Sequence, residues 1–146
     1  MARADLGDLA YIGADLVPEL VARAAGEHAG PGREYRVLDL TASPLPEADL
    51  LLCRDALVHL SFADIARALA NLRRAAIPWL LTTTFPGEPE NEDIVTGDWR
   101  PLNLERAPFH FPAPARLLNE GCTEGGGRFA DKSLGLWRVA DLPVPA

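Results

Sequence analysis

Apolar residues along this chain come in short runs separated by turn formers. Tyr11-Ile12-Gly13-Ala14-Asp15 is a brief apolar run closed by an acid and reads as a strand. Pro18 then opens a helical stretch in which Leu20, Val21, Ala24 and Ala25 fall at helical spacing. Proline suits a first turn, where its missing N–H costs nothing. Gly30-Pro31-Gly32 stops that helix, and Tyr35 to Leu40 reads as a second strand. Ser43 to Glu47, with two prolines, is a loop. Ala48 to Cys53 is apolar on consecutive positions, which predicts a strand covered on both faces, as in a parallel sheet. Ser61, with Asp64 three residues on, is a helix N-cap. Phe62, Ile65, Ala66, Leu69 and Leu72 follow on one helical face, and Arg73 and Arg74 suit the negative end of the helix dipole. Ile77 to Thr84 is a fourth strand with Pro78 at its start, where proline is tolerated.

The pattern changes after Thr84. Phe85 to Pro114 is Pro-rich with little periodicity, and a loop of that length is either functional or disordered. Ala115 to Glu120 and Ser133 to Val139 read as two more strands, joined through Gly121 to Lys132 with its three consecutive glycines, as an antiparallel hairpin. The order β-α-β-β-α-β-loop-β-β predicts an α/β sheet in a single domain spanning residues 1–146.

Composition narrows the function. The chain has 146 residues and a net charge of -7, which argues against a nucleic-acid surface, since neutralising phosphates needs clustered Lys and Arg. Thirteen of the basic residues are Arg and one is Lys132. Cys53 and Cys122 are too few for a disulfide framework, so both are expected reduced. The first residues carry acids where a secretory signal would be basic and then apolar, and no run approaches the ~18 apolar residues of a membrane span. These features predict a soluble, cytoplasmic protein with no membrane partner.

The ordered set of segments resembles the later two thirds of a class I S-adenosylmethionine-dependent methyltransferase. Residues 11–20 (YIGADLVPEL) are similar to that family's second strand, its terminal acid and the following helix. Residues 35–40 (YRVLDL) resemble its third strand and acid, residues 48–61 (ADLLLCRDALVHLS) its fourth strand and the loop below it, residues 80–85 (LLTTTF) its fifth strand, and residues 132–137 (KSLGLW) a closing strand of the terminal hairpin. The resemblance covers residues 10–140. It implies a Rossmann-like, mainly parallel sheet with helices packed on it and a C-terminal antiparallel hairpin. It also implies methyl transfer from S-adenosyl-L-methionine to a small-molecule acceptor. The family's acidic, glycine-rich loop would precede Tyr11, and Asp5-Leu6-Gly7-Asp8 does not supply it, because such a loop needs a strand before it and a helix after it. The expectation is therefore an N-terminally incomplete fold without its first, central strand. In that case strands 11–15 and 48–53 re-pair, or an oligomer or partner chain fills the slot.

Candidate site residues follow from strand ends, where open α/β sheets bind ligands. Asp15 is placed either to accept both hydroxyls of a ribose or to favour the helix dipole. The resemblance assigns Asp39 to the exocyclic amine of adenine; the alternative is a turn-forming Asp before Thr41. Leu40 joins these as a cofactor contact. Cys53, Arg54 and Asp55 would line the sulfonium side of the cofactor, with Asp55 also facing the acceptor. Arg54 is either a catalytic or anion-binding guanidinium or a structural salt bridge. His59 is either a general base, its ordinary pKa being near neutrality, or a plain loop residue. Trp99 and Arg100, in the segment 91–103 after the fifth strand, either stack on and clamp a substrate or pack against the sheet edge. No metal set is present in Cys53, Asp55 and His59. Two rivals share these features: a nicotinamide-dependent oxidoreductase, which also uses a ribose acid, and a degenerate subunit that binds no cofactor.

Overall fold

The computed structural model describes residues 7–143. Of the segment 5–8, Asp5 and Leu6 therefore lie outside the described residues. Where one domain is expected, backbone contacts divide the chain into two units, Met1–Pro44 and Leu45–Ala146.

The first unit is one β-α-β turn of chain. Strand β1 (Tyr11–Asp15) leads through helix α1 (Pro18–His28) to strand β2 (Arg33–Val37), which pairs parallel to β1 from Tyr11↔Arg33 to Asp15↔Val37. Pro18 sits in the first turn of α1 as expected. Ahead of the helix, Asp15 Oδ1 accepts the Val17 N–H at 2.9 Å in a tight turn. Tyr11 and Tyr35 meet edge to face at 5.9 Å across the two strands. A Cβ on Gly13 would come within 2.8 Å of the Tyr35 ring, so glycine is what lets that ring lie on β1. Strand β2 starts two residues before the apolar signal and stops before Leu38. Its register on β1 sets the start. Its end is set by Asp39, whose carboxylate captures Thr41 in a turn that competes with the ladder.

The second unit holds a four-stranded sheet in the order β3-β4-β6-β5. Strand β3 (Leu50–Cys53) pairs parallel with β4 (Trp79–Thr84), and β6 (Ser133–Arg138) runs antiparallel to both β4 and β5 (Arg116–Asn119). Every ladder that does not involve β6 is thus parallel, and β5–β6 is the expected terminal hairpin. Helix α2 (Phe62–Arg74) carries the expected Ser61 cap, with Ser61 Oγ accepting the Asp64 N–H at 3.2 Å. Its buried face is Ile65, Ala68, Leu69 and Leu72, with Asn71. Arg73, beyond the dipole, donates to the Leu142 and Pro143 carbonyls at 2.8 and 2.6 Å and ties down the end of the chain. In β6 one face is Ser133, Gly135 and Trp137, all buried. The Trp137 indole lies directly over Gly135, where a Cβ would fall 2.2 Å from the ring, and its Nε1 donates to the Pro112 carbonyl at 2.7 Å.

One expectation is corrected here. Strand β3 is not covered on both faces: Leu50 is 44% exposed. Within the units, β1 pairs with β2 and β3 with β4.

Candidate functional site

Chemistry gathers at the carboxyl ends of strands, and each unit has such an end. In the first, β1 delivers Asp15 and β2 leads into Asp39, with the Leu38 N–H donating to the Asp15 carbonyl at 3.0 Å. Asp15 thus ends β1 opposite Val37, and Asp39 lies two residues beyond the end of β2. Asp15 uses one oxygen on Val17 and is exposed. Asp39 Oδ1 accepts from the Thr41 N–H at 2.8 Å and the Thr41 hydroxyl at 2.7 Å, and the Asp39 N–H donates to Ser43 Oγ at 2.9 Å. The turn-forming reading of Asp39 is thus realised. It leaves Asp39 Oδ2 outside those three bonds. Leu40 follows half-buried in the same turn.

In the second unit, β3 ends at Cys53 and turns through Arg54 and Asp55. Cys53 is buried, and burial pushes its thiol up to about 11, opposed by hydrogen bonds from Thr82 and the Leu57 backbone. A neutral thiol turned into the core corrects the expectation that the Cys53 side chain lines a cofactor. Asp55 takes a left-handed conformation at φ 55°, which costs about 1–3 kcal/mol in a residue with a Cβ and persists where surroundings fix it. Here they do. The Asp55 N–H donates to Thr83 Oγ1 at 2.8 Å, the Thr83 hydroxyl returns to Asp55 Oδ1 at 3.3 Å, and the Lys132 ammonium lies 2.7 Å from the same oxygen. Arg54 Nε donates to Glu120 Oε1 at 2.7 Å, and that bond raises the guanidinium pKa. Glu120 Oε2, buried and without a hydrogen bond, faces Lys132 at 3.8 Å. Arg54 thus takes the salt-bridge alternative, with its side chain 55% exposed. Lys132 and Glu120 were missed in the sequence because each is a lone charge at a hairpin end. Only the antiparallel return of β6 brings them here.

The long segment after β4 is ordered by polar hooks. Arg100 is buried, and its guanidinium donates to the carbonyls of Glu92, Leu57, Val58 and Leu60 at 3.0, 3.2, 3.0 and 2.9 Å. It clamps this chain's own loop, so the substrate clamp expected of Arg100 is corrected. Burial lowers its pKa, partly offset by Asp93. Asn91 and Asn103 form a second knot: the Asn103 N–H donates to Asn91 Oδ1 at 2.8 Å, Asn91 Nδ2 donates to the Asn103 carbonyl at 2.8 Å, and Asn103 Nδ2 donates to the Pro86 and Glu88 carbonyls at 3.1 and 2.8 Å. Thus fixed, the loop presents Trp99, 45% exposed, edge to face with Phe85 at 6.2 Å and with Phe129 at 5.1 Å. His59 Nδ1 sits 2.9 Å from the Asp98 carbonyl. A carbonyl only accepts, so Nδ1 carries the proton and a neutral ring leaves its lone pair on Nε2. Among the described residues no group of three His, Cys, Asp or Glu could hold a metal, and no helix is long and apolar enough to cross a membrane.

A family profile described as a methyltransferase domain matches residues 1–79, more than half of the chain. The chain belongs to this methyltransferase domain family. Human N-acetylserotonin methyltransferase, solved in complex with SAM, superposes with a TM-score of 0.58 at 16% identity, covering 87% of this chain and 39% of that one. CalO1, a methyltransferase in calicheamicin biosynthesis solved in its SAH-bound form, gives 0.57 at 16% identity, covering 86% and 40%. At that identity the likeness shows the shared fold, a Rossmann-like α/β sheet. The methyltransferase domain described here spans about 40% of the length of either solved structure. No curated protein sequence matches the chain.

Within this methyltransferase domain, ribose hydroxyls and an adenine amine would be hydrogen-bond donors, and the first unit offers two carboxylate acceptors that fit them, Asp15 at the end of β1 and Asp39 two residues beyond β2.

Proposed function

We propose that this chain serves S-adenosylmethionine-dependent methyl transfer to a small-molecule acceptor, with Asp15, Asp39 and Leu40 on the adenosine and Asp55, His59 and Trp99 on the acceptor side. The observation that carries the reading is the pair of carboxylates that follow the paired parallel strands β1 and β2, Asp15 at the end of one and Asp39 two residues beyond the other, in a chain of this family. When bound, the cofactor supplies a methyl group on a positively charged sulfur, which leaves as a neutral thioether. The residues of this chain then have two tasks. They hold the acceptor in line and exclude water, and they take the proton that the acceptor atom loses as its new bond to carbon forms. His59 Nε2, with its lone pair fixed by the Nδ1 bond to Asp98, is the base. Free cysteines and the net charge of -7 support a cytoplasmic setting without nucleic acid.

Calorimetric titration with S-adenosylhomocysteine and, separately, with NAD tests this reading. S-adenosylhomocysteine is expected to bind, and Asp15→Ala to weaken it by about 1–3 kcal/mol, roughly 5- to 150-fold. Binding of NAD in its place would establish the oxidoreductase reading, and binding of neither would establish the non-catalytic subunit.

A further inference from the structure

Phe85, Trp99 and Phe129 meet pairwise edge to face, with centroids 5.1 to 6.2 Å apart. Two of the three are held firmly. Phe85 is 2% exposed, and its N–H donates to the Leu102 carbonyl at 2.9 Å. Trp99 precedes the buried Arg100 hook. Phe129 is held differently. It lies on the connection between β5 and β6, in which no residue from 121 to 132 is buried. Gly121, Gly125, Gly126 and Gly127 all take left-handed φ values there, of 62°, 62°, 65° and 90°. A Cβ on Gly125 would lie 3.0 Å from the Phe129 ring, so that glycine makes room for the ring to fold under the turn. The connection is fastened at its ends by Arg54–Glu120 and Lys132–Asp55, both 2.7 Å, by the Gly87 N–H to Asp131 Oδ2 at 2.8 Å, and by bonds from Asn119 Nδ2 to the Ala130 carbonyl at 2.8 Å and from the Glu120 N–H to the Lys132 carbonyl at 3.0 Å. Each pair has one solvent-exposed partner, Arg54 at 55% and Asp55 at 39%, so both weaken with salt.

We propose that Phe129 is an intramolecular stand-in for the acceptor, and that the platform of Trp99 and Phe85 takes a planar aromatic small molecule when the connection swings aside. The identification of that molecule as the acceptor rests on the methyltransferase reading above; the binding itself does not. The platform already receives the edge of an uncharged six-membered ring, so the chemistry it selects is on display. Aromatic pairs of this geometry contribute about 0.5–1.5 kcal/mol beyond buried area. A larger planar ring offers Trp99 more contact than Phe129 does, and it does not have to hold a glycine-rich connection in place.

The test uses 2-naphthol as probe and calorimetry as readout, with no cofactor added. Phe129→Ala is expected to bind the probe at least about tenfold more tightly than wild type, because the competitor on Trp99 is gone. Phe129→Leu, which keeps apolar bulk on the connection without a ring, is expected to fall between them. Wild-type affinity is expected to rise between low salt and about 0.5 M NaCl as the end pairs weaken, while Phe129→Ala stays level. Adding Trp99→Ala to Phe129→Ala should abolish the gain. Equal binding by wild type and Phe129→Ala, or a gain that survives loss of Trp99, overturns the proposal. Titration with S-adenosylhomocysteine on the same samples reads the methyltransferase assignment separately, so failure of one is not mistaken for failure of the other.

Discussion

Arg100 is the position at which the second unit is most exposed to a single substitution. Its guanidinium donates to four main-chain carbonyls, three of them in the segment 57–60 and one at Glu92. Its ring-facing side covers Phe62 at 5.5 Å. Replacement by Met keeps the apolar stem and removes every donor. A hydrogen bond from a charged donor contributes about 1.5–3 kcal/mol, so four would give about 6–12 kcal/mol if they simply added. They do not add, because burying the guanidinium itself costs several kcal/mol, and because the lowered pKa records that cost. The net loss for Arg100→Met is then about 3–5 kcal/mol, since four carbonyls lose their donor at about 1–3 kcal/mol each while the cost of burying the guanidinium is recovered. A domain has only about 5–15 kcal/mol in total. With a urea slope of about 1–3 kcal/mol per molar, the unfolding midpoint should fall by about 2 M, with the slope unchanged. Arg100→Lys keeps the charge but not the planar fork, and should lose about half as much. Urea unfolding followed by far-UV circular dichroism measures both. A loss under 1 kcal/mol for Arg100→Met would refute the claim that this side chain organises the loop.

Three further outcomes are expected. Gly135→Ala should destabilise by more than about 2 kcal/mol, since its Cβ would overlap the buried Trp137 ring; thermal unfolding checks it, and an unchanged midpoint would mean that the indole can move. Cys53, with its thiol pushed up to about 11, should resist a thiol reagent at neutral pH while half-exposed Cys122 reacts, as mass spectrometry of the labelled chain would record. Its sign in stability follows. The folded thiol keeps its proton above the pH at which the unfolded one loses it, so stability falls from about pH 9 to 11 by up to about 3 kcal/mol, and Cys53→Ala removes that slope. Finally, β3 has one strand neighbour among the described residues and a 44% exposed Leu50, so the purified chain should self-associate by strand addition; a monomer by sedimentation across micromolar concentrations would count against it.

What the sequence could convey is divided by range. Local signals were readable. Ser61 with Asp64 marked a helix start, Pro18 a first turn, and the Phe62–Leu72 spacing a buried face, because each is decided within one turn of chain. Asp15 and Asp39 were readable as strand-end acids for the same reason. Arg100 was not. Beside Trp99 it reads as a substrate clamp, and nothing near it in sequence reveals that its partners are carbonyls some forty residues earlier. The loop from Phe85 to Pro114 looked structureless because its order comes from such single polar hooks and from Leu102, Leu104, Phe109 and Phe111, which are buried without any helical or strand period. Arg54 was ambiguous in sequence and became a salt bridge only when Glu120 arrived from sixty-six residues away.

The direction of one strand explains why that arrival happens. Ser133 opens β6 opposite Thr84, the last residue of β4, since the two strands are antiparallel. Whatever immediately precedes β6 is therefore delivered to the carboxyl end of β3 and β4, and whatever follows β5 comes with it. Lys132, Phe129 and Glu120 occupy those places. Were β6 parallel to β4, its start would sit at the other end of a six-residue strand, about 20 Å away at ~3.3 Å per residue. Asp55 would then keep its left-handed turn without the ammonium that holds it, and Trp99 would lose the ring now packed on it. The terminal hairpin thus closes the sheet and also carries the charged and aromatic partners of the residues that β3 and β4 leave at their ends.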